Sequence, residues 1–287
     1  MRVGTVAELW RYPVKSMAGE QLAQAVLTAG GIPGDRGWAV RDEVAAEIRG
    51  GKKLPVLMQC AARYLTEPSP GSSPPARIDL PDGSRVVTGE GDVDAMLSRV
   101  LGKKVTLHPL HPAEDTDHYR RGLPDDTDFD RELRSLFGRT ADEPLPDLSV
   151  FPPELFEFSS PPGTYFDAFP LHVLTTATLA ALSAANPTSS FDRRRFRPNI
   201  LIESASDQRG LVEAGWSGGE LRIGKARIQV VMPTVRCSMT TQPQADLAKD
   251  PQVLRTVVRD AQQNVGAYAV VVEPGPIARG DSVELVA

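Results

Sequence analysis

Cysteine is scarce in this sequence: 287 residues carry two, Cys60 and Cys237. A disulfide scaffold is excluded by that count, and the spacing gives no signal for a single bridge. A cysteine-ligated iron–sulfur cluster usually needs four thiolates, so this chain cannot supply one alone. A Cys-rich structural zinc site fails by the same arithmetic. Redox chemistry on this chain would therefore draw its electrons from another protein. Long apolar runs are missing too. Nothing approaches the roughly 18 residues that span a bilayer. The opening Met1-Arg2-Val3-Gly4 lacks the apolar region of a secretory signal,. No membrane span and a cytoplasmic location are the expectations. Strong charge of one sign is also lacking. A net charge of −5 argues against an extended nucleic-acid surface but leaves room for a local basic pocket,.

What is present reads as many short strands between Gly/Pro turns, a mainly β chain with some α (α+β) and a barrel-like architecture. Strands are expected at Arg2 to Trp10, Gln21 to Leu27 and Trp38 to Arg41. Leu54 to Thr66 fits a strand or a short helix, and its period does not decide. Pro81-Asp82-Gly83-Ser84 signals a hairpin. Asp92 to Leu101 has helical spacing with Asp92 as its cap. Pro112 to Pro153 is charged and proline-bearing, and reads as a long surface connection, partly helical near Asp130 to Phe137. It separates an N-terminal unit, 1–111, from a second, 154–287. In the second unit, Leu171 to Leu174 leads into a helix capped by Thr175 or Thr176. Phe191 to Asn199 reads as a basic loop. Leu221 to Gly224 and Ala226 to Val231 form a hairpin, and Leu247 to Asn264 a helix.

Chemistry could sit in a few places. Cys237, between Arg236 and a run of hydroxyl residues, follows an apolar β run. Cationic neighbours favour the thiolate that ligates metals or attacks. A buried inert thiol fits the same facts. Arg193, Arg194, Arg195 and Arg197 crowd five positions, and guanidinium groups bind phosphate bidentately. A solvated charged loop is the bland alternative, but Phe196 and Pro198 alternate with the charges and suggest that some residues turn inward. Lys15-Ser16 and Gly34-Asp35-Arg36-Gly37 each place a cation on a loop, so Lys15, Arg36 and Arg197 could surround one anionic group. Gly89-Glu90-Gly91 lacks the third glycine of a dinucleotide turn, and no phosphate loop occurs. His108, His111 and His118 read as a loose surface group rather than a metal site, and His172 as a core histidine.

Together these blocks resemble a known family. Leu9-Trp10-Arg11-Tyr12-Pro13-Val14-Lys15-Ser16 with Gly19, Gly34-Asp35-Arg36-Gly37-Trp38, Arg195-Phe196-Arg197-Pro198-Asn199 and Arg236-Cys237-Ser238-Met239-Thr240-Thr241 follow the order of a MOSC protein with a MOSC N-terminal β-barrel domain. The nearest functional pattern is that of the amidoxime-reducing components and their bacterial counterparts. The resemblance implies a MOSC β-barrel, an N-terminal β-barrel-like subdomain, and a molybdopterin-type molybdenum cofactor between them, with no iron–sulfur cluster or flavin in this chain. It implies Cys237 as catalytic residue and metal ligand, and Lys15, Ser16, Arg36, Thr175, Arg197 and Asn199 as cofactor-binding. The implied activity is reduction of N-hydroxylated small molecules, with electrons from a separate ferredoxin-, flavoprotein- or cytochrome-like donor. The rival is a persulfide or cofactor carrier without reductase activity. Two departures stand out. The connection matches nothing in the family pattern, and Val235 occupies a place where some relatives carry a small hydroxyl residue.

Overall fold

The structure is a computed structural model describing residues 1–286, so the last residue of the expected second unit lies outside it. In chain order, the first half holds β1 (Arg2–Arg11), β2 (Glu20–Leu22), β3 (Gln24–Leu27), β4 (Trp38–Asp42), β5 (Glu47–Ile48), β6 (Ala61–Tyr64), β7 (Ala76–Asp79), β8 (Arg85–Val87), α1 (Val93–Leu101) and β9 (Val105–Pro109). Short helices α2 (Thr116–Tyr119), α3 (Phe129–Phe137) and α4 (Glu154–Glu157) follow. The rest comprises β10 (Leu171–Thr175), α5 (Thr176–Ala185), α6 (Arg193–Phe196), β11 (Ile200–Ser204), β12 (Glu220–Ile223), β13 (Ala226–Val235), α7 (Pro251–Asp260), β14 (Asn264–Glu273), β15 (Gly275–Ala278) and β16 (Ser282–Val286).

Seven strands close a barrel in the order β11-β10-β14-β13-β12-β16-β1, with β1 pairing back onto β11. Closure removes the unpaired edges that an open sheet would leave. The first strand of the chain thus belongs to the barrel of the second half. Inward residues such as Val6, Leu9, Val173, Ile202, Leu221 and Ile228 fill it. Each large apolar side chain buried this way contributes on the order of 2 kcal/mol. A second core gathers Val14, Trp38, Val40, Leu57, Ile78 and Leu97 between two three-stranded sheets, β5-β4-β9 and β6-β7-β8, with α1 against them. Cys60 lies fully buried there, and burial pushes its thiol up to about 12, so it is inert,.

Several elements differ from the sequence reading for identifiable reasons. Gln21 to Leu27 breaks into two strands with different partners, β2 on β1 and β3 on β15. Leu54 to Thr66 is both things in turn, a 3-10 turn opened by Pro55 and then β6. Asp92 stands at the N-cap of α1 but makes no side-chain cap bond; its carboxylate is not what starts the helix. The helix expected over Leu247 to Asn264 is shorter, because Pro251 fixes its first turn and Asp250 caps it through the Gln252 amide,. The basic loop contains a turn of helix, α6, capped by Asp192.

The connection does more than join two halves. α3 is capped by Asp128, whose carboxylate accepts from the amides of Asp130 and Arg131,. Ser238 Oγ donates to Leu136 O at 3.0 Å, and Arg139 donates to Arg236 O at 3.0 Å. The segment is therefore pinned to the residues on either side of Cys237.

Candidate functional site

A cavity of about 340 Å³ opens between the barrel and the N-terminal unit, in the range of small-molecule sites,. Lys15, Ser16 and Arg36 face it from the first half. His172, Arg197, Thr234, Arg236, Cys237 and Tyr268 face it from the barrel. Leu133, Leu136, Phe137, Leu148, Phe151 and Phe156 of the connection give it an apolar wall.

Backbone shape positions the polar residues. Ser16, Arg36 and Arg197 adopt left-handed φ values of 69°, 54° and 55°. That region costs an L-residue roughly 1–2 kcal/mol, and such strain gathers where a side chain must be aimed. Buried Asp35 holds the cradle together. Its Oδ1 accepts from Tyr12 N at 2.8 Å, while Oδ2 accepts from Asn199 Nδ2 at 2.9 Å and from Arg36. Arg36 and Arg197 both lie over the Tyr12 ring, at 5.0 and 4.2 Å. Lys15 Nζ reaches Tyr165 O at 2.8 Å and Asp167 Oδ1 at 2.9 Å.

The electrostatics are those of an anion site. Burial pulls Arg197 and Arg236 down to about 10, so both remain cations at neutral pH. Burial works against the Arg36 charge, but Asp35 beside it raises its pKa. Burial, and then the Arg236 charge, hold His172 well below its usual value and neutral. Arg236 donates to His172 Nε2, so the ring proton sits on Nδ1,. Gly266 permits that approach, because a Cβ there would fall 2.0 Å from His172 Nε2.

Arg197 Nη2 and the Thr234 hydroxyl are among the buried donors that have no hydrogen-bond partner in the described residues. Both line the cavity. An orphaned buried guanidinium is costly, and an anion in the cavity would satisfy it. The neighbouring arginines are all occupied. Arg193 pairs with Glu8, Arg194 with Asp192 and Asp246, and Arg195 bonds the carbonyls of Ser190, Thr240 and Ala248.

Lys15, Ser16, Arg36, Arg197, Asn199 and Cys237, singled out in the sequence, thus meet at one cavity. Their chemistry is not equal. Asn199 spends its amide on Asp35, on Trp10 O at 3.2 Å and, through Oδ1, on His172 N at 3.1 Å, so it positions others. Ser16 Oγ accepts from Gly51 N at 2.8 Å. Thr175 is not on the cavity. Its hydroxyl accepts from Thr178 N, capping α5, and donates to buried Glu213 at 2.7 Å, so both of these bonds serve the fold. Cys237 lies at the start of a 3-10 turn, Ser238–Thr241, partly exposed to the cavity. Sequence reasoning missed Thr234, Tyr268 and the site role of His172. Only the spacing of His172 within a strand hinted at the last, and it reads equally as core.

Comparison with known proteins agrees with this architecture. The MOSC N-terminal beta barrel domain family matches residues 3–103, and the MOSC domain family matches residues 161–284. Mitochondrial amidoxime-reducing component 1 of Mus musculus is 26% identical over 99% of this chain and 83% of its own length. The Homo sapiens protein of that name is 25% identical over 99% and 84%. The solved YuaD protein from Bacillus subtilis is 11% identical, covering 99% of this chain and 95% of its own, with a TM-score of 0.43. A β-barrel closed by its own N-terminal strand, a second β unit beside it, and both family matches in sequence order lead to one identification: the chain belongs to the MOSC-domain proteins that carry a MOSC N-terminal β-barrel domain.

Proposed function

We propose that this protein is a molybdenum-cofactor-dependent reductase of N-oxygenated small molecules, with electrons delivered by a separate protein. The observation that carries the proposal is the pair of orphaned buried donors, Arg197 Nη2 and Thr234 Oγ1, on the same cavity as Cys237. A phosphate-bearing pterin fits that donor set. Arg197 and Arg36 would take its phosphate by charge-assisted hydrogen bonds, with Lys15 adding field. Thr234 would donate to the same group. Cys237 would supply a thiolate to the metal, with neutral His172 and Arg236 fixing the strand end that presents it. When bound, the cofactor supplies a centre that accepts the substrate's oxygen and takes up two electrons. The names of the amidoxime-reducing relatives support the choice of substrate: an amidoxime plus two electrons and two protons gives an amidine and water.

The protein's own part is to exclude and orient. The apolar wall of Leu133, Leu136, Phe137 and Phe151 keeps bulk water from one side of the cavity, and the cationic side holds the anionic group,. Among the described residues no helix is long and apolar enough to cross a membrane. The test is turnover. Protein from a cofactor-competent host should reduce an aryl amidoxime with a reduced viologen dye as donor. Cys237→Ser should lose at least a hundredfold in rate while keeping its melting temperature. Wild-type turnover in that variant would overturn the assignment.

A further inference from the structure

Three of the chain's four histidines converge away from the cavity. His108 lies on β9, His111 just beyond it, and His118 within α2, with one ring nitrogen from each within 4.8 Å of the others. His111 and His118 stack in parallel at 3.7 Å between centroids, so binding one metal requires a ring to turn out of the stack, and His108 lies 5.0 Å from His118. His118 is 7% exposed, so the group is not the loose surface cluster that sequence spacing suggests.

The hydrogen bonds fix the tautomer of every ring. Tyr165 has one hydroxyl proton and gives it to Pro109 O at 2.8 Å. It must therefore accept from His118 Nε2, 2.7 Å away, which leaves Nδ1 with a free lone pair,. Thr106 gives its one proton to Glu43, so it accepts from His108 Nε2 at 2.8 Å, and His108 Nδ1 is free. Asp115 accepts from His111 Nδ1 at 2.8 Å, which in a neutral ring leaves Nε2 as the free nitrogen,. In its neutral form each imidazole has one nitrogen tied to an acceptor and the other available to a metal,. Histidines that ligate metals are oriented in this way by outer carboxylates, hydroxyls and carbonyls.

We propose that His108, His111 and His118 form a binding site for a divalent transition metal, with zinc the natural occupant for three neutral imidazoles and a water. Asp115, Tyr165 and the Thr106–Glu43 pair serve as the outer shell. None of the three histidines lines the cavity, so the site is independent of the proposed reductase centre. Bound metal would tie α2 to β9.

Calorimetric titration of zinc into the full-length protein at pH 7.5 tests this, with cobalt(II) replacing zinc for visible spectra. The expected result is one zinc per chain and cobalt bands of low-coordinate nitrogen ligation. His111→Ala, at a partly exposed ring, should weaken binding at least tenfold with an unchanged melt of the metal-free protein. Asp115→Asn should weaken it about tenfold, in line with outer-shell effects. Cys237→Ser should leave it intact. Absence of binding at about 100 μM zinc, a concentration far above structural zinc affinities, would overturn the proposal. So would binding that survives His111→Ala and His108→Ala unchanged.

Discussion

Arg197 sits at a φ of 55°, buried, with Nη2 unpartnered while the arginines beside it are occupied. Sequence showed four guanidinium groups within five positions but could not show which one was free, because that depends on acceptors far along the chain: Glu8, Asp246 and Ala248. Asn199 and Thr175 looked alike for the same reason. A polar side chain near a motif is legible, but what consumes its hydrogen bonds is not. Arg197→Ala should therefore lower cofactor content at least tenfold in the purified protein. The metal-free variant should melt no lower than wild type, because an unsatisfied buried charge is removed. Thr175→Ala should do the opposite. It loses the α5 cap and one donor to Glu213, costing about 1–2 kcal/mol, with molybdenum content unchanged. Chemical denaturation and metal analysis on the two variants separate the roles, and metal loss in Thr175→Ala at full stability would contradict this placement.

At the scale of elements, strands were legible wherever alternation and turns marked them, as in β4, β12 and β13. Closure was not legible. Nothing in Arg2–Arg11 alone says that it pairs with both β16 and β11, since pairing partners lie some 190 to 280 positions away. The connection was the least readable stretch, and here it forms the apolar wall. Gly138 ends α3 at a φ of 63°, and a Cβ there would meet Leu254 at 2.8 Å and Ser238 at 3.2 Å. Gly138→Ala should cost about 1–2 kcal/mol from the left-handed backbone alone. A lower melting temperature should come with a raised KM, since the helix carries Leu133, Leu136 and Phe137 on the cavity. Unchanged values for both would separate α3 from the site.

For the molecule as a whole, burial of a neutral histidine makes stability depend on pH. His172 is held well below its usual value of about 6.5,. Below that pH the unfolded chain takes up a proton that the folded chain refuses, so this contribution is full above about 6.5 and lost as the pH falls. The slope approaches about 1.4 kcal/mol per pH unit. Urea unfolding between pH 7.0 and 5.5 should show it, and His172→Gln should lessen the slope, with buried His118 and half-buried His108, also held down by burial, supplying the rest; equal slopes would contradict the assignment. The two β units and the cavity between them rest on one further claim, that Arg36, Arg197, Thr234 and Cys237 together hold a molybdenum-bearing, phosphorylated pterin. Metal and pterin analysis of the protein purified from a cofactor-competent host tests it most directly. The account predicts close to one molybdenum and one pterin per chain, falling sharply in Arg197→Ala; a folded wild-type protein containing neither would contradict it.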